Sequence, residues 1–114
     1  MWVFLPSGFL SVVAHNDMPD VLLCRARVKG DLERLLPASA VFENAGTDYR
    51  FRTYLDRDTV AGVIAGHVAG IDYPDFKASV ADHRRHRSYF DIWNSMAELQ
   101  DQLTAKPRLA SVVR

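Results

Sequence analysis

The feature that most constrains this chain is a change of period near Asp56. Ahead of it, apolar and β-branched residues come in short runs with turn formers between them. Behind it, they recur every third or fourth residue. Trp2-Val3-Phe4-Leu5, Phe9 to His15 and Val21 to Val28 read as strands, divided by Pro6-Ser7-Gly8 and by Asn16-Asp17-Met18-Pro19-Asp20, which makes an antiparallel meander. A short helix is predicted over Leu32 to Leu36, with Asp31 as N-cap and Pro37 as its stop. A strand near Ala40 to Glu43 and another over Tyr49 to Leu55 complete the first half. In the latter, Tyr49, Phe51, Thr53 and Leu55 share one face, and Arg50, Arg52 and Tyr54 the other.

From Asp56 onward Val60, Val63, Ile64, His67, Val68 and Ile71 draw one stripe along a helix expected to lie on the sheet. A helical segment carrying Phe76 and Val80 follows. A long helix from about His86 to Leu103 then carries Tyr89, Ile92, Trp93, Met96, Leu99 and Leu103, a broad face that reads mostly as core. Strands followed by helices predict an α+β domain: an antiparallel sheet of four to five strands, helices on one face, and C-terminal helices behind. The β-α-β-β-α order from about Val21 to Ile71 is ferredoxin-like in part. One domain is expected over residues 1–104, with 105–114 as a tail, since 114 residues suffice for a single core without a disulfide or metal. The one cysteine, Cys24, sits on the apolar side of its strand and reads as inert core. It gives no sign of an oxidising compartment, and no export signal or membrane span is read, so the cytoplasm is expected.

Charge is balanced overall, 14 Lys and Arg against 14 Asp and Glu, which disfavours indiscriminate polyanion binding. The balance is a sum of unlike parts. Residues 1–76 hold 7 basic and 10 acidic side chains, net −3, and residues 77–114 hold 7 and 4, net +3. Strand alternation puts Arg25 and Arg27 on one face of their strand and Arg50 and Arg52 on one face of theirs. If these faces coincide, four guanidinium groups beside Tyr54 would line a surface for nucleic acid or a phosphate ligand. The plainer reading pairs them with Glu33, Glu43 or Asp48 on a solvated sheet.

The run Asp82-His83-Arg84-Arg85-His86-Arg87 is the one strongly basic cluster, suited to an acidic partner or to self-association, and otherwise a solvated first helical turn. The spacing of His83 and His86 is that of a metal pair, but three arginines oppose a cation, and no metal or cofactor is expected. Asp75-Phe76-Lys77 with Pro19-Asp20 matches a nuclease-like carboxylate and lysine arrangement only at the level of chance. A small enzyme built on His67, His83, His86, Asp75 and Lys77 is the weakest alternative, and no catalytic residue is assigned. Gly62, Gly66 and Gly70 recur every four residues, implying close approach of a backbone within the chain or across a dimer. Trp2 and Phe4 on an edge strand, with Phe90 off the main helical seam, leave more aromatic area than a small core needs.

Taken together, Trp2-Val3-Phe4, Gly8-Phe9-Leu10-Ser11-Val12-Val13, Asp48-Tyr49-Arg50-Phe51-Arg52, Ile71-Asp72-Tyr73-Pro74-Asp75-Phe76-Lys77 and the His86 to Trp93 segment resemble a family of small bacterial proteins with no assigned activity. The resemblance implies a single small domain and transfers no site residue. The expected function is a non-enzymatic interaction or regulatory module that self-associates. Its contacts would involve Trp2, Phe4, His83, Arg84, Arg85, His86, Arg87 and Phe90, and the alternative is an anion or nucleic-acid site on Arg25, Arg27, Arg50, Arg52 and Tyr54.

Overall fold

The computed structural model describes residues 1–38 and 40–104, so the expected tail lies outside the described residues. It is an α+β structure. Strands β1 (Trp2–Leu5), β2 (Gly8–Ala14), β3 (Val21–Ala26), β4 (Phe42–Glu43) and β5 (Phe51–Asp56) form one sheet in the order β1-β2-β3-β5-β4. Helices α1 (Asp31–Leu35), α2 (Arg57–Ala69) and α3 (His83–Thr104) and a 3-10 turn at Lys77–Ser79 complete the chain. The β-α-β-β-α order is present, and β5 lies between β3 and β4, antiparallel to both. That leaves β3 and β4 parallel and joined through α1 with one strand between them, the split β-α-β arrangement of ferredoxin-like folds, as far as α2. The chain divides into two compact units, the first Met1–Pro74 and the second beginning at Asp75.

In the first unit, alternation sorts the sheet into two faces. Leu5, Leu10, Val12, Cys24 and Ala26 point to one side, where Leu32, Leu35 and Leu36 at α1 and Val60 of α2 close over them, with Val63 and Ile64 packed on the margin. The stripe on α2 is only partly used, because Val68 and Ile71 remain exposed. A Cβ at Gly62 or Gly66 would meet nothing within 4 Å among the described residues, so no neighbouring backbone within the chain requires these glycines.

Asp31 is not the cap that the sequence suggested. Gly30, at φ 93°, takes the N-cap position in a conformation that suits glycine. Asp31 is the first helical residue and is fully buried. Its carboxylate accepts the Phe9 N–H at 3.1 Å and the Arg34 Nη1 at 2.8 Å, while Arg34 also reaches the Ser7 carbonyl at 2.9 Å. A side chain at Gly8 would strike Leu35 and press on Asp31, so side chains of α1 pack directly on the strand backbone here. At the other end Arg57 locks α2 to the β2–β3 turn: its N–H donates to the Asp20 carbonyl at 2.8 Å and its guanidinium to the Pro19 carbonyl.

In the second unit the segment carrying Phe76 forms only a 3-10 turn. Phe76 stacks on Tyr89 at 5.6 Å, and the His86 Nδ1–H donates to the Lys77 carbonyl at 2.9 Å. Asp82 caps α3, its carboxylate accepting the Arg85 N–H at 2.9 Å. Tyr89 is the one buried residue of α3 among those described, so the broad apolar face expected to be core is largely exposed.

Candidate functional site

The face of the sheet opposite α1 and α2 carries no helix of the first unit. Register places Trp2 beside Ser11, Ser11 beside Arg25, Arg25 beside Arg52 and Arg52 beside Phe42, a single cross-strand row that spans all five strands. The row one step along contains Phe4 and Phe9, stacked at 4.6 Å, and Trp2 meets Phe9 edge-on at 6.2 Å. On the opposite flank Tyr54 lies 6.0 Å from Phe42 and 5.1 Å from His15. Trp2, Phe42 and Tyr54 are exposed, and Phe4 and Phe9 are half-buried.

Tyr49 sits at the centre, on the side the strand alternation did not assign to it. β5 starts at Phe51, and a bend over residues 47–50 swings Tyr49 away from Phe51 and onto the arginine face, 6.5 Å from Phe9. The guanidinium groups of Arg25 and Arg27 lie over its ring at 4.4 and 4.1 Å. Arg25 also donates to the Ser11 hydroxyl at 2.8 Å, Arg27 to the Asp48 carbonyl at 2.8 Å, and Arg52 Nε to the Tyr49 carbonyl at 3.1 Å, with Asp48 at 3.5 Å from Arg52 Nη2. Three of the four predicted arginines therefore converge, fastening the 44–50 loop across the sheet. Arg50 does not join them: it pairs with Glu43 at 2.8 Å. Each of the four arginines has a partner within the chain.

The Asn44-Ala45-Gly46-Thr47-Asp48 run of turn formers was the signal that the strand could not begin at Tyr49. Asn44 accepts the Gly46 N–H through its side chain, and Thr47 Oγ1 lies 2.9 Å from the Tyr49 carbonyl. Phe9 and Phe42 were missed for a different reason. Their roles depend on which strands are neighbours.

The remaining candidates fall elsewhere. His67 stands on α2, with Nε2 3.4 Å from the Leu35 carbonyl. In the second unit His83, Arg84 and Arg87 are exposed, Arg85 is 3.5 Å from the Tyr89 hydroxyl, and His86 is turned to Lys77. Lys77 Nζ lies 3.8 Å from Asp75 and 4.7 Å from the Trp93 ring. Phe90 is exposed and stacks on Trp93 at 5.8 Å. Among the described residues no group of three or more His, Cys, Asp or Glu is placed to hold a metal ion. None of the described helices is long and apolar enough to cross a membrane. Cys24 is buried, and burial pushes its thiol up to about 11, which leaves it protonated and unreactive at neutral pH. No known protein family, curated protein or solved structure matches this chain.

Proposed function

We propose that this chain is a non-enzymatic protein-interaction module of the cytoplasm that self-associates. The observation that carries the reading is the placement of its large apolar side chains: Trp2, Phe42 and Tyr54 stand exposed on the sheet face, and Phe90, Ile92, Trp93, Met96, Leu99 and Leu103 along α3. Large apolar side chains left exposed in groups mark contact sites in soluble proteins. The sheet face also combines Trp, Tyr and Arg, the residue types that dominate interface energetics. Arg27 is exposed and bonds a carbonyl rather than a carboxylate, so the face suits a protein segment that sets acidic side chains beside apolar ones. Light scattering on the full chain across a wide concentration range tests the reading. A mass that rises toward that of a dimer supports it, and a monomer at the highest concentration refutes it.

A second reading, an anion or nucleic-acid site, is favoured by the Arg25 and Arg52 register pair with Arg27 alongside and exposed Trp2 and Tyr54 for stacking. A Trp93→Phe variant leaves Trp2 as the reporter. Quenching of its emission by a single-stranded oligonucleotide, weakening as salt rises, would favour that site, and no quenching at low salt removes it.

A further inference from the structure

Helix α3 is 22 residues long, and its apolar residues are spaced for a partner of its own kind. Tyr89, Ile92, Met96, Leu99 and Leu103 follow one another at alternating steps of three and four, the seam of a heptad repeat. Phe76 covers Tyr89, while Ile92, Met96, Leu99 and Leu103 are exposed. The charged residues are sorted as well. Arg84, Arg87, Asp91, Glu98 and Asp101 occupy outer heptad positions, and Arg85 alone stands in line with the seam, at its N-terminal end, 3.5 Å from the Tyr89 hydroxyl. The positions that flank it hold His86, Ser88, Trp93, Ser95, Gln100 and Gln102. Flanking positions decide which helices pair, because they face their counterparts across the seam. Like charges filling these positions would repel in a pair of identical helices. Flanks without Lys, Arg, Asp or Glu set no such charges against each other when a second copy of the same helix docks.

We infer that the Ile92–Leu103 seam of α3 is where two copies of this chain meet, helix against helix. The inference rests on the self-association proposed above and names its surface. Sedimentation equilibrium of the full chain tests it with three proteins: the parent, Met96→Glu in the seam and Asn94→Glu on the outer side. The parent and Asn94→Glu are expected to dimerise alike. Met96→Glu is expected to weaken the dimer by about a hundredfold or more, because it sets two carboxylates in a desolvated seam. Circular dichroism should show the same helix content in all three, glutamate being a good helix former. If Met96→Glu dimerises as the parent does, or if both variants lose the dimer equally, the seam is not the interface although the chain self-associates. A parent that is monomeric throughout overturns the self-association reading itself.

Discussion

Asp31 shows how one side chain can hold a strand to a helix. It is fully buried, and it accepts both a backbone N–H from β2 and the Arg34 guanidinium. Asp31→Ala would leave the Phe9 N–H without its acceptor, and a lost hydrogen bond to a buried charged group costs about 2–3 kcal/mol. Urea unfolding should show that loss, whereas a change near zero would mean that the contact is idle. Cys24 makes a second prediction at this scale. Folded, its thiol holds its proton to about 11, against 9.0 for a free thiol. Its contribution to stability is thus complete below about 9 and lost as pH climbs toward 11. The urea midpoint should fall across that window, more steeply than in Cys24→Ala, and a thiol reagent at neutral pH should label only unfolded chains.

The elements differ in how far the sequence revealed them. β1, β2 and β3 were legible because alternation and turn formers coincide there, and both signals are local. β5 was misjudged at its start, since the bend that reverses Tyr49 is stabilised by Arg25, Arg27 and Arg52 from outside the loop. The heptad on α3 was visible as an apolar face, but spacing alone does not distinguish a face covered by its own chain from one left bare. On α2, the open space at Gly62 and Gly66 predicts that Gly66→Ala stabilises the helix by about 0.5–1 kcal/mol, raising the melting temperature without altering self-association. Loss of the dimer in that variant would move the interface to α2. At the start of α3, the Arg85 and Arg84 N–H groups and guanidinium charges hold the Asp82 carboxyl below its ordinary range, with the Arg85 N–H the largest influence and desolvation opposing. Its capping is therefore present above that range and lost as pH falls through the lowered value. Helix content from circular dichroism should decline on acidification, and less so in Asp82→Asn, whose amide does not titrate.

For the whole molecule, the zero net charge has acquired a structure. The acidic excess lies mainly in the sheet unit, where three arginines are nevertheless gathered on one face. The basic excess of residues 77–114 is that of Lys106, Arg108 and Arg114, because residues 77–104 balance four basic against four acidic side chains. Of the charges on α3, only Arg85 lies in line with the apolar seam. In the proposed function, self-pairing falls to the exposed seam of α3 and a partner to the exposed sheet face. Hydrogen exchange measured at low and high protein concentration tests this most directly. The account predicts that backbone protection of residues 92–103 rises with concentration while that of β1 to β5 stays constant. Protection of α3 that is independent of concentration, or a gain confined to the sheet, would contradict it.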